Sequence, residues 1–123
     1  MLDKEEYKLH REKIMANVPN KSAMILFARR PSEFKALPDK NFYYATGIKE
    51  NDDIVFIVKN NDNIEATILV SEYDAFKAKW VGCGMTKEEA IAISGADSAA
   101  YLKDFNTILN TYISLGLILM MLI

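Results

Sequence analysis

Few side chains in this 123-residue chain could do chemistry, and they are scattered. His10 is the only histidine, and no second His or Cys lies within ligand spacing of it, so an imidazole-based metal site has no second leg. Cys83 sits between Gly82 and Gly84; Lys79 and Lys87 would lower its pKa, but no base lies nearby, and it reads as a small residue in a turn. The same Gly82-Cys83-Gly84 lacks the remaining spacing of a dinucleotide or phosphate loop. Acidic pairs occur at Glu5-Glu6, Asp52-Asp53 and Glu88-Glu89. The first and third fall in first turns of predicted helices, where negative charge favours the helix dipole, and the second enters a strand. No catalytic residue and no metal ligand is therefore assigned. The aromatic residues remain: Tyr43 and Tyr44 as strand neighbours would point opposite ways, one inward and one outward, and Trp80 would plug the core.

Positioning any such residues falls to one domain. Half the residues are hydrophobic and 26% are charged, enough to bury a core in a chain of 14.0 kDa. The net charge of −2 and the pI near 5.4 provide no basic field for phosphates, so nucleic acid is excluded as an expected partner. A single cysteine allows no intrachain disulfide, and the start Met1-Leu2-Asp3-Lys4-Glu5-Glu6 is acidic where a secretion signal needs a basic stretch, so the chain is expected to be cytoplasmic.

Tyr7, Ile14 and Val18 fall on one helical face bordered by His10 and Arg11, and Pro19-Asn20 stops that helix near Asn17. The apolar run Ser22 to Ala28 predicts a strand buried on both faces. After an irregular stretch between Pro31 and Pro38, Asn41 to Ile48 predicts a short strand that turns at Gly47. Asp53 to Lys59 and Ile64 to Val70, joined by Asn60-Asn61-Asp62-Asn63, predict a hairpin. The period then changes: Ser71 caps a short helix to Trp80, and Thr86 with Glu89 forms a capping box for a helix ended by Gly95. Asp104 caps a last helix whose stripe is Phe105, Ile108, Leu109, Tyr112 and Ile113. The architecture predicted is α/β, a single layered domain with a mixed β-sheet flanked by helices.

In that order, several segments resemble the N-terminal domain of Xaa-Pro aminopeptidases, members of the creatinase, prolidase and methionine aminopeptidase superfamily. The resemblance runs from about Tyr7 to Phe105. Asn41 to Ile48 is similar to the family's Phe-Tyr-Tyr-x-Thr-Gly-Phe segment, and Trp80-Val81-Gly82 with the capped helix behind it is similar to its Trp-x-Gly motif. Pro31-Ser32-Glu33 and Cys83-Gly84 depart from the family's Ser-Asp and arginine positions. The resemblance implies a fold of the creatinase N-terminal, ribonuclease H-like type, and a non-catalytic role: covering the mouth of an active site and mediating oligomer contacts. It further implies that the dinuclear manganese (or similar divalent) site, built from two Asp, one His and two Glu, belongs to a "pita-bread" catalytic domain absent from this chain. The parent enzyme would release N-terminal residues that precede proline from short peptides, and Tyr43, Tyr44 and Trp80 would lie at the substrate edge or an interface.

Residues 113–123 form an apolar tail, broken only by Ser114 and Gly116, that does not resemble the family. Eleven residues are about half of the roughly 20 needed to span a bilayer, so a membrane anchor is the minority reading, beside a final sheet strand and a shifted reading frame. Homo-oligomers are expected, through the tail, the hairpin edge or both. The rival to a domain of a peptidase is a stand-alone module that binds a peptide or protein on the same fold.

Overall fold

In the computed structural model, which describes residues 3–28, 40–48, 53–61, 63–71 and 86–122, the Asp3 carboxylate accepts a hydrogen bond from the Glu5 amide (2.6 Å) and opens α1 (Lys4–Met15). The buried residues of α1 are Tyr7, Arg11 and Met15, at four-residue spacing. Ile14 and Val18, expected on the central stripe, only border it, and the charged Arg11 takes the centre. The Lys59 ammonium donates to the carbonyls of Met15 and Val18, both at 3.0 Å, and so satisfies carbonyls that the end of α1 leaves open.

The five strands of the described residues order as β4-β3-β2-β1-β5. β1 (Ser22–Phe27) is internal; it pairs antiparallel with β2 (Ile54–Asn60), placing Ile25 opposite Phe56, and parallel with β5 (Ile118–Leu122), placing Ile25 opposite Met121. β2 and β3 (Asn63–Val70) form the expected hairpin, turning through Asn61 at φ 51°, a left-handed angle that Asn tolerates better than most residues.

Asn41 to Ile48 is not a strand. Lys40–Thr46 is helix α2, with Phe42, Ala45 and Thr46 buried at the i, i+3, i+4 positions of a helical face. The Thr46 hydroxyl donates to the Phe42 carbonyl (2.9 Å), the Gly47 amide to the Tyr43 carbonyl (2.7 Å), and Gly47 leaves the helix at φ +71°. Strand preference of adjacent aromatics is context-dependent, and here helical burial overrides it.

The capping box forms as expected: the Glu89 amide donates to Thr86 Oγ1 (3.1 Å) and the Thr86 amide to Glu89 Oε1 (3.3 Å), opening α3 (Lys87–Ser94), which Gly95 ends at φ +70°. A short strand that sequence pattern does not announce follows, β4 (Ser98–Tyr101), parallel to β3. Asp97 sets it in place, since its carboxylate accepts from the Ala66 amide (2.8 Å) and its own amide donates to the Ala66 carbonyl (2.9 Å).

The cap expected from Asp104 is absent. Leu102–Asp104 forms one turn of 3-10 helix, in which the Asp104 carboxylate accepts from the Tyr101 amide (3.3 Å) before α4 (Phe105–Ser114) begins. Phe105, Ile108, Leu109 and Tyr112 pack on Ile25, Phe56 and Leu69, while Ile113 stays 53% exposed and lies off the stripe.

The sheet thus has two unlike faces. One carries α1, α2 and α3 over Leu26, Val55, Ile57, Ala66, Ile68 and Val70; the other carries, among the described residues, α4. This is an α/β domain with a mixed sheet flanked by helices. The apolar tail divides between the end of α4, a turn at Gly116 (φ +78°) and the edge strand β5, where Ile118 and Met121 remain half exposed. The helix expected from Ser71 to Trp80 lies, beyond Ser71 itself, outside the described residues, as does the Pro31 to Pro38 stretch.

Candidate functional site

Tyr43 and Tyr44 lie on the first helix-bearing face of the domain, on α2, and both project outward, each 40% exposed. The expectation of one inward and one outward ring fails with the strand it rested on: successive helical residues are about 100° apart, and Phe42 and Ala45 take the core positions on either side. Trp80 and Cys83 fall outside the described residues.

What holds the two tyrosines is α1. The His10 ring stacks on Tyr44 at 4.0 Å between centroids and 3° between planes, and its Nδ1 donates to the Tyr44 carbonyl at 2.7 Å. Because a carbonyl only accepts, Nδ1 carries the proton. The Tyr7 ring meets His10 edge-on at 5.9 Å, and burial, with a smaller contribution from Tyr43, raises the Tyr7 phenol above its ordinary pKa of 10.0. Beneath this group Tyr7 fills the space beside Gly47, where any Cβ would overlap its ring.

Arg11 locks the arrangement. Only 2% exposed, its guanidinium donates to the carbonyls of Ala45 (2.9 Å), Ser94 (2.7 Å) and Gly95 (3.1 Å), so one side chain of α1 ties down the C-terminal ends of α2 and α3. A cation there also suits the negative ends of two helices. Burial pulls its pKa down while the charges of Asp97 and Glu12 oppose the change, and a guanidinium remains protonated throughout. Nothing in the local sequence marks these contacts, whose partners lie 34, 83 and 84 residues away.

Chemically this is an aromatic ledge of Tyr43 and Tyr44 backed by His10 and Tyr7. It has no nucleophile beside a base, and among the described residues no three of His, Cys, Asp or Glu converge to hold a metal ion. The described donor set therefore does not fit the dinuclear metal centre that the resemblance attaches to the parent enzyme. Nor is any helix of the described residues long and apolar enough to cross a membrane.

Fold and ledge together define a small α/β domain that presents aromatic surface. Residues 7–117 match the family model for the aminopeptidase P N-terminal domain, and the chain belongs to that family. Among solved structures, it is similar to a Bacillus anthracis protein assigned as an aminopeptidase P, at 30% identity and a TM-score of 0.87, over 99% of this chain and 31% of that one. It is also similar in fold to Escherichia coli aminopeptidase P with the inhibitor Pro-Leu, at 20% identity and a TM-score of 0.79, over 90% of this chain and 27% of that one. The chain thus spans about a third of the length of these structural relatives. A search of curated protein sequences finds no match. The family match extends past Phe105, through α4 and the start of the tail, beyond the segment whose motifs carry the resemblance.

Proposed function

We propose that this chain serves as the non-catalytic N-terminal domain of a cytoplasmic Xaa-Pro aminopeptidase, whose metal-dependent hydrolysis is performed by a separate catalytic domain. The observation that carries this reading is the family match over residues 7–117. In this role the domain covers the mouth of the active site and admits short peptides with proline second. The outward rings of Tyr43 and Tyr44, backed by His10, are the described surface best suited to meet an apolar substrate edge or a neighbouring domain. Trp80 is proposed for the same edge on the resemblance alone. The dinuclear manganese or similar metal belongs to the catalytic domain, and the assembly is a homo-oligomer.

A domain exchange tests the reading. The Bacillus anthracis relative is produced whole, without its N-terminal domain, and with this chain in that domain's place, and each is assayed with manganese on Xaa-Pro peptides of increasing length. The expected result is that the exchanged protein regains the preference for short peptides that the truncated protein lacks. An exchanged protein that folds but discriminates length no better than the truncated one refutes the covering role.

A further inference from the structure

Past the C-terminal end of α4 a groove of about 330 Å³ lies against the sheet, formed by four separate segments. Val58, Glu65 and Thr67 of the hairpin line it from the sheet, Tyr112 and Leu115 from the end of α4, and Leu117 and Lys21 from the starts of β5 and β1. Its volume is at the lower end for small-molecule sites, the space of roughly ten water molecules.

The frame of this groove is fixed by backbone contacts. Lys21 has φ +60°, a left-handed angle unusual for lysine. It is held there from both sides: its amide donates to the Lys59 carbonyl (2.9 Å), and its carbonyl accepts from the Ile118 amide (2.8 Å). The Leu117 amide donates to the Tyr112 carbonyl (3.1 Å), closing the α4–β5 turn around Gly116. Strain at a non-glycine residue persists only where its surroundings over-determine it, and here they set the Lys21 backbone at the rim.

The lining combines three chemistries. Lys21 supplies a cation and Glu65 a carboxylate, and neither forms an ion pair among the described residues. The last turn of α4 holds no basic residue of its own, and its negative end favours a cation beside it. Leu115, 67% exposed, with Leu117 and Val58 supplies apolar surface. The Tyr112 phenol is raised above its ordinary pKa by burial and by the charge of Glu65, with a Thr67 hydrogen bond opposing, and remains a neutral donor. A plain anion would face Glu65 and a plain cation would face Lys21, whereas a ligand carrying both charges meets an opposite charge at each end.

We propose that this groove binds a small zwitterion, an apolar amino acid or a dipeptide, with its carboxylate on Lys21, its ammonium on Glu65 and the end of α4, and its side chain on Leu115 and Leu117. The site is formed by this chain alone and does not rest on the peptidase reading.

The test is an amide-resolved NMR titration of the full chain with leucine, with alanyl-leucine and with N-acetyl-leucine amide, which has the same side chain and neither charge. The expected result is saturable shifts at Lys21, Tyr112 and Leu117 with leucine or alanyl-leucine, the tighter of the two identifying the ligand size, and no such shifts with the capped compound. Lys21→Met and Glu65→Gln should each weaken binding by about tenfold, with melting unchanged. The proposal is overturned if neither zwitterion gives saturable shifts, if the capped compound binds equally well, or if both variants, folded, bind like the wild type. Should a variant fail to fold, the comparison with the capped compound on the wild-type chain decides alone.

Discussion

Replacing Arg11 by methionine keeps most of the apolar stem and removes the three donors that reach Ala45, Ser94 and Gly95. The first two of those bonds are buried, so two carbonyls lose their partner away from water. An orphaned buried polar group costs about 1–3 kcal/mol, giving about 2–6 kcal/mol for the pair. Part is returned because the folded state no longer desolvates a guanidinium, and a net loss of about 3 kcal/mol is expected. For a chain of this length about 4 °C is lost per kcal/mol, so the melting point should fall by about 12 °C. Urea unfolding followed by circular dichroism measures it, with Arg11→Lys as the comparison. Lysine keeps the charge but cannot fork toward carbonyls from two helices, and should recover less than half of the loss. A loss below about 1 kcal/mol for Arg11→Met, with an unchanged urea slope, would refute the argument that this side chain holds the helical layer together.

Gly47→Ala should destabilise by about 3 kcal/mol, since φ +71° disfavours a side chain and the new Cβ overlaps the Tyr7 ring; pairing it with Tyr7→Ala should cost less than the sum of the two, and strict additivity in a double-mutant cycle would contradict the contact. Tyr7 and Tyr112 both have raised phenol pKa values, so the folded chain holds more protons than the unfolded one above pH 10 and stability falls as pH rises there. Below that pH these two groups add no slope; above it each contributes up to about 1.4 kcal/mol per pH unit, and urea titrations in which the double Phe variant keeps the full wild-type slope would exclude the effect. Ending the chain after Gly116 removes β5 and turns β1 into an edge strand, so the cooperative unfolding transition should be lost; a truncated chain that still melts cooperatively would make β5 an accessory.

What could be read from sequence is what local chemistry decides. Thr86 and Glu89 are three residues apart and cap one helix whatever surrounds them, and the Asn-rich turn joins two β-branched runs that have no better partner than each other. β4 has no such signal: Ser98-Ala99-Ala100-Tyr101 is a strand because Asp97 brackets Ala66 and delivers it to β3. α2 misleads because its aromatics carry strand preference, while the burial of Phe42, Ala45 and Thr46 that makes it helical is supplied by α1 and the sheet. Arg11 reads as a border residue since charge is expected at the edge of a helical stripe, yet its partners are carbonyls, which every residue carries and no sequence pattern reveals. The groove at Lys21 is hidden for a related reason: its walls come from four segments that only the sheet order brings together.

The two faces of the sheet also differ in how their helices are held, and this has a dynamic consequence. On one face polar side chains bind helix ends, Arg11 reaching α2 and α3 and Lys59 reaching α1, over a layer of fully buried aliphatic residues. On the other, α4 contains no fully buried residue and rests on the half-buried Phe105, Ile108, Leu109 and Tyr112, with the Phe105 and Tyr112 rings each 5.4 Å from Phe56. Local opening needs less free energy where fewer buried contacts must be broken, so α4 should open independently of the remaining fold while β2 opens only with global unfolding. Native-state hydrogen exchange across a series of low urea concentrations distinguishes the two. Amides of α4 should exchange faster than those of β2 and with little urea dependence, as in small-scale opening, whereas β2 amides should follow the full unfolding slope. If α4 amides are as protected as those of β2 and share their urea dependence, the aromatic face is as firmly held as the polar one, and the asymmetry of contacts has no counterpart in stability.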